Sequence, residues 1–127
     1  MNGPLAEALV ADPVLASDYA SFRAAAERAL DPALVALVRQ AIGEVHGCAA
    51  GAASAIDEDA LDHGARACLA YARRIPFEHT AITDAEAQAV VSALGEAGYV
   101  AFSVIAALAD AECRAALVDL PGLVATA

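Results

Sequence analysis

Lysine is absent from this chain of 127 residues; its 7 basic side chains are all arginine and stand against 17 acidic ones, for a formal charge of −10. A chain so poor in cations lacks the basic field that counterion release from nucleic acid requires, so neither DNA or RNA nor an anionic membrane is an expected partner. Aromatic residues are scarce as well, at 5%. No apolar stretch of the roughly 18 residues that cross a bilayer stands out, the run Val45 to Ile56 being short and rich in glycine and alanine. A soluble protein is expected. The N-terminal stretch carries Glu7 and Asp12 and no positive segment before an apolar core, so no secretory signal is visible and a cytoplasmic location is expected. Cysteine is limited to Cys48, Cys68 and Cys113, an odd number at wide spacing that fits neither a disulfide framework nor a zinc cage; three thiols are expected. A glycine-rich phosphate loop and a serine nucleophile elbow are both missing. The triplet His46-Gly47-Cys48 offers two metal ligands where zinc needs three or four, so no metal and no cofactor are expected.

What the chain has in quantity is alanine, at 37 positions, within a hydrophobic content of 60%. Alanine is the strongest helix former and leaves little bulk, so helices that approach closely are expected and the fold class is all-α. Asp12-Pro13 and Asp31-Pro32 each set a capping carboxylate before a proline at the first helical position. From Asp31 the residues Leu34, Leu37, Val38, Ala41, Ile42 and Val45 form the stripe of a helix with one buried face, with Arg39, Gln40 and Glu44 off it. After the Gly47 break, the alanine-rich segment from Cys48 to about Ile56 reads as a second helix. Another is expected from Asp57 or Glu58 to Arg74, burying Leu61, Ala65, Cys68, Leu69 and Ala72 and closed by Pro76. Phe77 to Ile82 then reads as a loop, Thr83 and Glu86 as a capping box, and residues 84–97 as a helix ended by Gly98. Phe102, Ile105, Leu108 and Ala109 mark the buried side of a last helix reaching about Val118, and Pro121-Gly122 begins a tail. The connections are too short to separate domains, so one domain over 1–127 is expected, with a core at about 31–118 and an N-terminal helical extension at 1–30.

Cys48 is the candidate reactive group. At the start of a helix, free N–H groups and the positive dipole end would stabilise its thiolate, and His46 could add to this or carry a proton. A filler role between close helices is the competing reading. Cys68 falls on an apolar stripe and reads as core, Cys113 as inert beside charges, and His63 and His79 as solvated.

The run Asp31 to Cys48, then Ala67 to Arg74, Ile82 to Val91, Gly98-Tyr99 and the apolar helix with Arg114, in that order, resembles the carboxymuconolactone decarboxylase family, which includes the alkylhydroperoxidase D-like proteins. The resemblance implies an all-helical bundle working as a homo-oligomer, a trimer or a hexamer, with the active site near the start of the cysteine helix and close to a subunit contact. Peroxidase members carry a glutamate, eleven residues, then Cys-x-x-Cys-x-x-x-His. Cys48 matches the first cysteine, the one that resolves, while the second falls on Gly51, the histidine on Ala55 and the glutamate on Ala36.

A disulfide cycle cannot close without a partner thiol, and glycine or alanine cannot move protons. The expected function is therefore a degenerate member of this family, kept as an oligomeric or small-molecule-binding module. The alternative is a thiol-dependent, peroxiredoxin-like antioxidant activity through Cys48, with His46 or Glu44 as helper and an external thiol as reductant. A carboxymuconolactone-type lyase is a third option, against which the missing histidine counts.

Overall fold

The computed structural model describes residues 3–48 and 55–125, and these are all-helical with no strand among them. The described α-helices are α1 Pro4–Ala8, α2 Pro13–Arg28, α3 Pro32–His46, α4 His63–Glu78, α5 Asp84–Leu117 and α6 Leu120–Ala125. Short 3-10 turns occupy Leu9–Ala11, Glu58–Ala60 and His79–Ala81. Three of the expected starts form as read. The Asp12 carboxylate accepts from the Leu15 N–H and that of Asp31 from the Ala33 N–H, both at 3.1 Å. Thr83 Oγ1 accepts from the Glu86 N–H while Glu86 Oε1 accepts from the Thr83 N–H, so two unpaired helix donors are satisfied reciprocally.

The core lies where α3, α4 and α5 pack on one another. Val35, Val38 and Ile42 meet Cys68 and Ala72, and both face Val90, Phe102, Ile105, Ala106 and Ala109. The α3 stripe is rotated slightly from the one read in sequence, with Val35 buried and Val45 exposed. By contrast α2 buries no side chain fully although it is 16 residues long. It is held against α5 and α3 by polar contacts described below.

Several boundaries differ from the reading above. Helix α3 closes at Gly47 (φ 73) and residues 48, 55 and 56 are non-helical; the rest of the helix expected from Cys48 to Ile56, at 49–54, lies outside the described residues. The Gly47 N–H bonds the Glu44 carbonyl at 3.1 Å and the Cys48 N–H bonds the Gly43 carbonyl at 2.9 Å, the paired closure that a left-handed glycine permits. Helix α4 begins later than expected because Asp62, accepting from the Ala65 N–H at 2.7 Å, is its cap. It also runs through Pro76 to Glu78, since a proline near the last turn removes only one helix bond. Gly95, not Gly98, interrupts the long helix, taking φ 77 and ψ 170. Gly98 serves packing instead, for a Cβ there would stand 2.8 Å from the Leu94 Cβ. The tail at Pro121-Gly122 is helix α6, capped by Asp119, whose carboxylate accepts from the Gly122 N–H at 3.3 Å. Finally, α5 is long and apolar enough to cross a membrane by length and composition alone, contrary to the reading of short runs, because a span tolerates the few charges that interrupt it. In this fold α5 carries much of the core.

Candidate functional site

The end of α3 lies against the last third of α5, and three pairs of side chains bridge them. Cys48 and Cys113 are joined as a disulfide across 65 residues of sequence, with their Cα atoms 6.1 Å apart, inside the range that a bridge requires. His46 Nε2 stands 2.5 Å from Asp110 Oδ1. Arg39 Nη1 donates to Glu112 Oε2 at 2.6 Å. Asp110 and Cys113 are three residues apart on α5 and so share a face.

Two of the earlier readings are thereby corrected. The expectation of three thiols fails for Cys48 and Cys113, because α5 runs back past the end of α3, a proximity that no local spacing encodes. The Cys48 N–H is not free but closes α3, whose dipole end beside it is negative and opposes a thiolate, while the helix expected to run on from it lies at 49–54 outside the described residues. Cys68 is core, as read.

The His46 side chain is 2% exposed, and its ring meets Phe77 edge-on with centroids 5.0 Å apart. Arg114 completes this corner: its Nε donates to both Asp110 oxygens, its Nη2 donates to the Pro76 carbonyl at 2.6 Å, and its guanidinium lies 5.3 Å from the Phe77 centroid. Glu44 faces away on α3, exposed, accepting from the Gln40 amide at 3.0 Å. Ala55 is exposed outside any helix and Ala36 is exposed on α3, while Gly51 lies outside the described residues.

A second polar group adjoins the cysteines. Glu112, 11% exposed, accepts from the Tyr19 hydroxyl at 2.5 Å and from Arg39, and pairs with Arg23 Nε at 3.4 Å. Glu27 pairs in turn with Arg23 and Arg39. Tyr19, Arg23 and Glu27 recur every four residues, so one polar face of α2 is clamped to α3 and α5. That spacing was legible in the sequence but went unread, as did Asp110, Glu112 and Arg39, whose partners are distant in the chain. A cavity of about 170 Å³ opens here, lined by Pro4, Arg39, Cys48, Ala109, Glu112, Cys113 and Ala116.

Two larger hollows lie elsewhere. A groove of about 690 Å³ between α2 and α3 is lined chiefly by Ala24, Leu30, Pro32, Val35 and Ala36 with Arg28 and Arg39. One of about 430 Å³ at the start of α4 holds Asp31, Asp62 and His63 over Cys68. Among the described residues no three His, Cys, Asp or Glu side chains converge as a metal site.

Burial, and then the Asp62 charge, push the Cys68 thiol from 9.0 up to about 11. Burial followed by the Glu112 hydrogen bond pushes Tyr19 from 10.0 to about 12, and burial with the 2.7 Å bond to Tyr99 does the same for Tyr71. All three groups hold their protons to higher pH folded than unfolded, so their contribution is full below pH 9 and is lost as pH rises from 9 towards 12. Urea midpoints measured against pH are therefore expected to fall across that window. A Cys68→Ala variant should lack the part of the fall between 9 and 11, and an unchanged slope in that variant would contradict the assignment.

Comparison of the chain with family models, with curated proteins and with solved structures gives no match.

Proposed function

We propose that this chain is a thiol-dependent hydroperoxide reductase of the alkylhydroperoxidase D-like kind with the roles exchanged: Cys48, at the position of the family's resolving cysteine, attacks the peroxide, and Cys113 resolves. One observation carries this reading: Cys48 and Cys113, both half-buried, pair beside a small cavity and next to a histidine oriented by a carboxylate. In the reduced protein the Cys48 thiolate attacks a peroxide oxygen, an S–O bond forms as O–O breaks, and the alcohol or water leaves with a proton while sulfur becomes a sulfenic acid. The Cys113 thiol then attacks that sulfur, the S–S bond forms and water leaves. An external dithiol restores both thiols by two exchanges and is itself oxidised to a disulfide. His46 is the proton carrier closest in sequence to Cys48.

Homo-oligomeric assembly belongs to the same proposal, favoured by the exposed apolar side chains Val14, Phe22, Val100 and Leu117. A second reading, a catalytically silent module that binds a small molecule, is favoured by the groove between α2 and α3.

The deciding experiment follows hydrogen peroxide consumption by the full chain with excess dithiothreitol. Wild type is expected to turn over and Cys48→Ser to be inactive. Cys113→Ser should complete the first oxidation and hold a sulfenic acid that dimedone traps. Consumption by the Cys48→Ser, Cys113→Ser double variant at the wild-type rate would remove the reductase reading and leave the binding module.

A further inference from the structure

We propose that Arg39 is a catalytic residue of this cysteine pair, stabilising the thiolate and the departing peroxide oxygen, and that the oxidant is a small hydroperoxide; the inference rests on the reductase reading above. The cavity beside the pair has two charged wall residues, Arg39 and Glu112. Glu112 is occupied: Tyr19 and Arg23 approach one oxygen and Arg39 the other, so it serves as an anchor and not as a base for the thiol proton. Arg39 is held from two sides, by Glu112 on α5 and by Glu27 on α2, which fixes its guanidinium before any substrate arrives. Such a preorganised donor acts where negative charge develops, with no reorganisation during the reaction.

A cation has a definite task here. Cys48 stands just beyond the C-terminal end of α3, where the dipole of that helix disfavours a thiolate, so a cationic side chain beside it offsets the penalty. The charged and titratable groups around the pair are Arg39 and His46 on α3, Asp110, Glu112 and Arg114 on α5, and Tyr19, Arg23 and Glu27 on α2. Of the cations among these, Asp110 engages His46 and Arg114, and Arg39 lines the cavity together with both cysteine residues. The cavity, at about 170 Å³, is roomy beside the roughly 10–15 Å³ that one water needs by the same measure, and it is the smallest of the three hollows described. Hydrogen peroxide or a short alkyl hydroperoxide fits within it, whereas the tail of a long-chain lipid hydroperoxide would extend beyond it.

The test compares wild type with Arg39→Gln, Arg39→Lys and, as a control on the neighbouring groove, Arg28→Gln. Fully reduced protein is alkylated with iodoacetamide as a function of pH and the modification of Cys48 and Cys113 is read by mass spectrometry. Arg39→Gln is expected to raise the midpoint of the more acidic thiol by about one pH unit and to slow oxidation by hydrogen peroxide by about tenfold or more. Arg39→Lys should recover part of both effects, and Arg28→Gln should match wild type. Circular dichroism shows whether each variant is folded; should Arg39→Gln fail to fold, Arg39→Lys against wild type decides the point through its smaller shift of the same sign. A midpoint unmoved in the folded Arg39 variants overturns the assignment whether or not wild type turns over peroxide, which separates this failure from that of the reductase reading. Oxidation by linoleic acid hydroperoxide as fast as by hydrogen peroxide overturns the size limit.

Discussion

Phe102→Ala is expected to destabilise the protein by about 3–5 kcal/mol, the largest loss of any single core truncation. Phe102 is the largest of the fully buried side chains and sits midway along the apolar face of α5. Its ring meets Tyr71 of α4 at 5.5 Å and 67°, and its neighbours Val38 and Ile42 of α3 close the other side of the cluster. Tyr71 is tied to Tyr99 by a 2.7 Å hydrogen bond, and the cluster is otherwise built largely of alanine and β-branched side chains with little freedom to swing into the space. The cavity term is then added to the lost transfer free energy without relief. Domains of this size have about 5–15 kcal/mol in all, so the variant should stand near the edge of folding. Urea denaturation followed by circular dichroism measures the loss, and a change below about 1.5 kcal/mol would place Phe102 at a site that collapses freely.

Glu112→Ala is expected to cost about 2–3 kcal/mol and to loosen α2 before the rest of the fold. Removal of the carboxylate leaves the guanidinium of Arg39 and that of Arg23, 21% and 15% exposed, with Glu27 as the one carboxylate they still share, and the Tyr19 hydroxyl without its acceptor. Partial exposure lets water recover some of that loss, which sets the estimate below the figure for a fully buried pair. Because α2 buries no side chain fully, this polar clamp is its principal attachment. Amide hydrogen exchange should therefore quicken in Pro13–Arg28 while α4 and α5 keep their protection. Uniform acceleration across all helices, or none, would contradict the clamp. Tyr19→Phe, which removes one hydrogen bond and leaves every charge paired, should cost about 1 kcal/mol by the same measurement.

The contrast between the two variants marks the division between local and distant information in this chain. Capping acids before prolines and the Thr83-Glu86 box act within one helical turn, so their geometry follows from spacing alone, and they form as read. The same holds for the apolar faces of α3, α4 and α5, whose burial repeats the 3.6-residue period with a small rotation at Val35. Glycine positions were visible but their roles were not. Whether Gly95 or Gly98 takes the positive φ depends on which one must pass Leu94 closely, a matter of packing. The candidate site divides the same way. Cys48 and His46 stand out because they adjoin the helix boundary at Gly47, which forms where the sequence places it. For Cys113, Asp110, Glu112 and Arg39 the partners that build the site arrive only when α5 folds back along α3 across 64 to 73 residues of chain, although Asp110 also has a local i,i+4 partner in Arg114. What the amino-acid order alone determined is the all-helical character and most helix starts, because those depend on hydrogen bonds and side-chain directions within a few residues. The cysteine pair, its histidine and its arginine were decided by the tertiary fold, because pairing across α3 and α5 depends on how two finished helices lie against each other.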